Sequence, residues 1–246
     1  MYEEFAYIYD MMMDGVDYPR WADYLEELFF HYKVSPDSIL DLACGTGSMT
    51  INMAGRDYKT TGIDGSEDML FVAQEKARKR GLRIPFICQD IRDIEIHKRV
   101  DAVLIVCDGL NYITSDEDLD KVFSNIHRIL KPGGVLLFDI SSYYKLSTVL
   151  GDNILIEDDH KISCLWQNSF DWEEDICTMD LTFFVREGSL YRRFDETHIQ
   201  KAYRPSDIVD RLEKNDFVNI NYYDFLTLDP PGSQSQRIQF AARRKS

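Results

Sequence analysis

The sequence predicts an α/β protein: a mostly parallel seven-stranded sheet, a helical segment before it and an antiparallel β-sheet inserted late in the chain. Three observations carry that reading. Between residues 38 and 140, strand-like and helix-like stretches alternate with short joins, the pattern of a parallel sheet covered on both faces. After residue 151 the alternation gives way to successive β-rich stretches with no helix between them. A last helix and two strands then complete the sheet.

The elements can be justified in order. Residues 1–36 are helical in character and rich in aromatics, and read as an N-terminal helical lid. The core, 37–150, holds strand-like runs at 38–44, 59–64, 85–90, 100–107 and 134–140. Its second connecting helix has Ser66 as N-cap, Glu67 and Asp68 in the first turn, and Lys76, Arg78, Lys79 and Arg80 in the last. Gly81 follows as a left-handed stop. The stretch 119–130 places Leu119, Val122, Phe123, Ile126, Ile129 and Leu130 on one helical face, and "LKPGG" at 130–134 ends that helix and starts a strand. Residues 151–202 form the antiparallel insertion. Residues 203–246 return to the core through a helix at 205–216, opened by Pro205, and strands near 217–228 and 236–244.

Composition narrows the function. With 44% hydrophobic and 13% aromatic residues, the 246-residue chain folds as a globular protein with one substantial core. No run of eighteen apolar residues predicts a membrane span, and the acidic start "MYEEFAYIYD" does not read as a signal peptide. The 43 acidic against 28 basic side chains give a net charge of −15, which repels phosphate backbones and argues against nucleic acid as a partner. The basic stretch 76–83 reads as the solvated end of a helix. Five cysteines without CxxC spacing point away from disulfides and metal, and toward a reducing cytoplasm.

One stretch asks for chemistry. In "LDLACGTGSM" (40–49) an apolar strand ends in an acid, Asp41, and breaks into two close-set glycines, Gly45 and Gly47. Ligands of parallel α/β sheets bind beyond the carboxyl ends of the strands, where this loop lies. It reads D-x-A-x-G-x-G rather than the G-x-G-x-x-G of dinucleotide sites. Asp64 ends the second strand, placed to accept bonds from both hydroxyls of a ribose, and Asp90 ends the third, where an adenine amino group can donate. Three carboxylates at consecutive strand ends are a poor cradle for pyrophosphate. They suit a ligand with an adenosine, an ammonium and a sulfonium, which is S-adenosylmethionine.

With "DLACGTG", "GIDGSEDML", "CQDI" and "LKPGGVLLFDI" in order, the chain resembles the class I S-adenosylmethionine-dependent methyltransferases over most of its length. The resemblance implies a Rossmann-like core. It places the cofactor on Asp41, Ala43, Cys44, Gly45, Thr46 and Gly47, with Ala43 replacing the usual first glycine. It assigns Asp64, with Gly65 and Ser66, to the ribose, Met69 to packing against adenine, and Gln89, Asp90 and Ile91 to the adenine side. "VCDGLNYI" (106–113), including Cys107, would mark the strand end where cofactor and acceptor meet.

The β-rich insertion resembles that of small-molecule N-methyltransferases, and residues 5–21 are similar to their lid. Tyr9, Tyr18 and Trp21 would then either cover the sulfonium by cation–π attraction or staple the N-terminal helices to the core. Candidates for proton transfer or acceptor contact are Asp108, Asn111 and Tyr112, then His198 and Tyr203, while Tyr143 and Tyr144 are expected to line the acceptor pocket. The insertion is read as an acceptor wall, a homodimer sheet or a cover for the core. The reading is methyl transfer to a small-molecule acceptor, at nitrogen; RNA or protein methylation, and a non-catalytic binding regulator, stand as alternatives.

Overall fold

The computed structural model describes residues 5–245; residues 1–4 and 246, at the ends of the expected N- and C-terminal segments, lie outside the described residues. The chain runs α1 (Phe5–Met12), α2 (Tyr18–His31), β1 (Ser38–Leu42), α3 (Ser48–Ala54), β2 (Lys59–Asp64), α4 (Glu67–Lys79), β3 (Phe86–Cys88) and β4 (Val100–Ile105). It continues through a short 3₁₀ turn (Gly109–Tyr112), α5 (Asp116–Ile129), β5 (Leu130–Ser141) and a π-helical turn (Lys145–Leu150). Four strands follow: β6 (Ile154–Asp158), β7 (Ile162–Asp171), β8 (Ile176–Glu187) and β9 (Leu190–Lys201). The chain then closes with α6 (Pro205–Lys214), β10 (Phe217–Asp224) and β11 (Arg237–Arg244). Among the described residues no helix is long and apolar enough to cross a membrane.

The main sheet has the order β10-β11-β5-β4-β1-β2-β3. β3, β2, β1, β4 and β5 pair in parallel, whereas β11 lies antiparallel between β5 and β10. A period of two sorts the central strands onto two cores. Leu40, Leu42, Val103, Ile105, Leu136 and Phe138 meet α5 and α6, while Ile39, Ala102, Leu104, Val135 and Leu137 meet α2 and α3. Both faces are dry, so the polar ends of the strands are where chemistry can surface.

Local signals set the helix starts. Ser66 Oγ accepts from the Met69 amide at 3.3 Å and Ser115 Oγ from Asp118 at 3.1 Å, and Gly81 adopts φ +69° after α4. Two boundaries differ from expectation. β5 begins at Leu130, because the β4–β5 register jumps between Val100 and Ala102 and so absorbs the Lys131–Pro132–Gly133–Gly134 stretch as an irregularity within the strand. α5 starts at Asp116, since the Ser115 cap extends the helix one turn ahead of its apolar stripe.

The two N-terminal helices pack in different places. α2 inserts Trp21, Leu25, Leu28 and Phe29 into the core on the sheet's face, and only α1 stands away from the sheet. The second sheet, β6-β7-β8-β9, is antiparallel throughout. Its inner face presents Cys164, Leu181 and Phe183 to Phe5, Ala6 and Ile8, so α1 is clasped between this sheet and Met69 of α4.

Candidate active site

A cavity of about 880 Å³ opens beyond the carboxyl ends of β1, β2 and β4, bounded by α1 and by the inner face of the inserted sheet. Its floor is the turn after β1. Gly47 sits at φ +71°, and a Cβ there would lie 2.9 Å from the Ala73 Cβ, so only glycine lets α3 start this close to α4. Gly45, at φ +53°, faces open space instead. Ala43 is also left-handed, at φ +52°, with its methyl against Gly109; a non-glycine residue in that region stores strain at the site.

Asp64 organises the turn. Its Oδ2 accepts from the Gly45 amide at 2.8 Å and its Oδ1 from the Ser66 amide at 2.9 Å. Burial pushes its carboxyl up from the ordinary value, and the amides of Ser66, Gly45 and Gly65 oppose the shift. The Gly47 amide is spent on the Cys44 carbonyl. Both glycine amides of the turn are therefore engaged within the protein, and Asp64, Glu67, Asp68 and Asp90 line this end with negative charge. That donor set fits an uncharged ribose and adenine beside a cationic sulfonium, and does not fit a dinucleotide. Cys44, Thr46, Gly65, Met69 and Ile91 complete this part of the wall.

α1 covers the same end. Asp10 accepts from Thr46 Oγ1 at 2.6 Å and from Lys76 Nζ at 2.8 Å, and Lys76 also donates to Ser48 at 2.8 Å. Desolvation pulls the Lys76 ammonium down from its usual range, against the pull of Asp10. α1 is thus latched to both the glycine turn and α4, and carries Tyr9 into the cavity. Tyr18 lines it as well, with its hydroxyl 3.7 Å from Cys107 Sγ.

The far end, at β4 and β5, is built differently. Cys107 and Asp108 both take left-handed conformations, at φ +59° and +51°. They are held by Asp139, whose Oδ2 accepts from the Asp108 amide at 3.0 Å. Arg237, entering from β11, donates Nη1 to Asp139 and Nη2 to Asp108 at 2.7 Å, while Gln200 of β9 donates to Asp108 Oδ2 at 2.9 Å. Burial acts on Asp108, but Arg237 and Lys145 outweigh it and hold the carboxyl down at about 2. Asp139, one layer deeper, is pushed up to about 6 by burial. Burial also lifts the Cys107 thiol to about 12, so it stays neutral.

Several sequence candidates lie elsewhere. Asn111 is fully buried; it donates to the carbonyls of Ser141 and Lys201 and accepts from the Ser141 amide, which ties the 3₁₀ turn to β5 and β9 and leaves nothing for a substrate. Tyr203 is buried with its hydroxyl on the Ile113 carbonyl at 2.6 Å. Trp21 lies behind the wall, stacked on Tyr18, and its cation is Arg237, 5.4 Å above the ring. Asp41 sits beneath the turn, bonded to Thr50 at 2.5 Å and raised to about 7 by burial. Gln89 lies off the cavity and accepts from the Glu95 amide, whereas Asp90 does line the cavity, with both its oxygens engaged by Arg92. Tyr143 donates to Asp175, and neither it nor Tyr144 reaches the cavity. Tyr203→Phe is expected to cost about 1–2 kcal/mol of stability through the orphaned carbonyl, with cofactor affinity and turnover unchanged; a drop in kcat at unchanged melting temperature would return Tyr203 to the chemistry.

His198 does line the cavity, with its Nδ1 2.9 Å from the Tyr112 hydroxyl and its ring 5.3 Å from Phe5. Desolvation, the dominant effect, lowers its pKa to about 4 against the opposing pull of Asp108. The unfolded chain therefore binds more protons than the folded one between about 6.5 and 4, and stability falls as pH drops through that window. His198→Gln is expected to flatten the melting temperature against pH there, relative to wild type. Parallel profiles for the two proteins would refute the assignment. Sequence spacing missed Gln200, Trp166, Met179, Lys145 and Arg237, all on this cavity.

The comparisons agree with this geometry. A family model described as a methyltransferase domain matches residues 39–134. A Bacillus subtilis (strain 168) protein, YqeM, provisionally named a methyltransferase, is 36% identical over 245 residues, 99% of this chain and 97% of its own length. The crystal structure of an S-adenosylmethionine-dependent methyltransferase from Clostridium acetobutylicum ATCC 824 aligns with a TM-score of 0.91 and 38% identity, covering 100% of this chain and 99% of that one. A Streptomyces venezuelae dTDP-3-amino-3,4,6-trideoxy-alpha-D-glucopyranose N,N-dimethyltransferase is 30% identical over 142 residues, 56% of this chain and 58% of its own.

Proposed function

The chain belongs to the S-adenosylmethionine-dependent methyltransferases, and we propose that it methylates a small-molecule acceptor at nitrogen. When bound, S-adenosylmethionine supplies a methyl group on a sulfonium, already activated for displacement. The residues fitted to hold it are Asp64 with the turn 43–47 on one side, and Tyr9, Tyr18 and Met69 on the other. The protein's remaining task is to align the nucleophile and exclude water.

The observation that carries nitrogen is the weak basicity of the acidic and imidazole groups that line the cavity at its far end, Asp139 lying one layer deeper and off its wall. Asp108, near 2, and His198, near 4, are both too weak to take a proton from a hydroxyl or an ammonium at neutral pH. They can accept a hydrogen bond from a neutral amine and orient its lone pair, which is all an amine acceptor needs. The amino-sugar dimethyltransferase among the relatives supports the same choice. A small acceptor is supported by the enclosure: α1 and the inserted sheet wall the cavity, and a net charge of −15 opposes RNA. Five unpaired cysteines favour a reducing cytoplasm.

The test is release of S-adenosylhomocysteine over a panel of primary and secondary amines, alcohols and RNAs. Turnover confined to amines, rising with pH as the acceptor deprotonates, is the expected result. Turnover on alcohols or RNA alone would overturn the proposal.

A further inference from the structure

Three cationic side chains line the cavity: Arg92, Lys145 and Arg237. Two are neutralised in place. Arg92 pairs with Asp90 and Asp118, and Arg237 with Asp108 and Asp139. Lys145 is half-buried and, among the described residues, has no carboxylate within 4.0 Å; its ammonium donates to Ser141 Oγ at 3.1 Å. An ammonium on a cavity wall with no carboxylate in contact can still make a charge-assisted hydrogen bond to a ligand anion. Among the described residues lining the cavity, Lys145 is the one cation with no carboxylate in contact; it pulls on Asp108 only from beyond 4.0 Å.

Its place in the fold says which ligand. Lys145 opens the π-helical turn after β5, beside β7 and β8 of the inserted sheet, and β5 is separated from β1 by β4. The adenosine end, at β1, β2 and β3, is on the other side of that strand. Leu150 of the same turn packs with Trp166 of β7 and Met179 of β8, so an apolar wall joins this turn to the inserted sheet. Resting on the small-molecule reading, we propose that Lys145 is a specificity residue that pairs with an anionic group, a carboxylate or a phosphate, carried by the methyl acceptor alongside its amine. The acceptor then spans the far end with its amine at Asp108 and its anion at Lys145.

Matched acceptors test this by calorimetry in the presence of S-adenosylhomocysteine, so no turnover is needed and a failed reaction assay does not decide it. The probes are glycine against glycinamide and glucosamine 6-phosphate against glucosamine, with inorganic phosphate alone as a third. Wild type is expected to bind the anionic member of at least one pair about tenfold or more tightly than its neutral partner. Lys145→Met abolishes that preference, Lys145→Arg retains it, and S-adenosylhomocysteine affinity stays at the wild-type value in both, while the lost pull on Asp108 lowers the melting temperature of Lys145→Met alone. Carboxylate preference alone, or phosphate preference alone, identifies the anion. No preference for either anion in wild type overturns the proposal. So does weakened S-adenosylhomocysteine binding in Lys145→Met, which would give the lysine to the cofactor's own carboxylate, or an intact anion preference in Lys145→Met, which would leave the lysine only its pull on Asp108.

Discussion

Asp64→Ala is expected to weaken S-adenosylmethionine binding by about a hundredfold while leaving the chain folded. The carboxylate accepts the Gly45 and Ser66 amides with one lone pair on each oxygen and turns its remaining lone pairs to the cavity. Alanine removes the two charge-assisted bonds proposed for the ribose hydroxyls, each worth roughly 1.5–3 kcal/mol, and about 1.4 kcal/mol is a factor of ten. It also frees the Gly45 amide and so loosens the turn that forms the floor. Asp64→Asn separates the two effects, because one amide oxygen can still accept from a backbone N–H while the NH₂ cannot accept from ribose. Calorimetry is therefore expected to rank wild type above Asp64→Asn above Asp64→Ala. Equal affinity for all three, in folded protein, would remove Asp64 from the cofactor site.

Much of this site is legible in the sequence because it lies where local rules end. A parallel strand buried on both faces reads as an apolar run, so an acid at its end stands out, and Asp41, Asp64 and Asp90 were found that way. What Asp41 and Asp90 do is not legible there. Asp41 points under the turn to Thr50, and Asp90 is held by Arg92 two residues on, which only the folded loop reveals. The inserted sheet gave a further cue. Period two places Phe194, Glu196, His198 and Gln200 on one face of β9, and a face that turns polar where it meets a core signals a site. Asn111 and Tyr203 misled because buried polar side chains that join elements have the same composition as catalytic ones. Their partners, the ends of β5 and β9 and the Ile113 carbonyl, come together only in three dimensions. Arg237 and Lys145 had no local signal: each sits in an ordinary polar stretch and acquires meaning from Asp108, which is distant in sequence.

Arg237→Met is expected to be the most damaging single change at the far end. The guanidinium side chain is 19% exposed, and it bridges Asp108 on one nitrogen and Asp139 on the other while resting on the faces of Trp21 and Phe225. Methionine fills the volume but leaves two carboxylates close together without the cation that bridges them, and breaking a buried pair by removing one partner costs about 3–5 kcal/mol. The variant can escape part of that cost by protonating Asp139, already raised to about 6 in the wild type by burial. Its folded-state pKa then rises further, so the variant's stability increases as pH is lowered from 8 toward 5, a steeper dependence than wild type shows. Arg237→Lys is expected to rescue little, because one ammonium cannot reproduce the two-pronged contact. Arg237→Met combined with Asp139→Asn restores stability by deleting one of the two charges, but turnover stays low, since Asp108 and the left-handed Cys107–Asp108 turn lose the cation that fixes them. Thermal melts across pH, read beside S-adenosylhomocysteine release, check each step. Wild-type stability and turnover in Arg237→Met would show that Asp108 is placed by Gln200 and Asp139 alone.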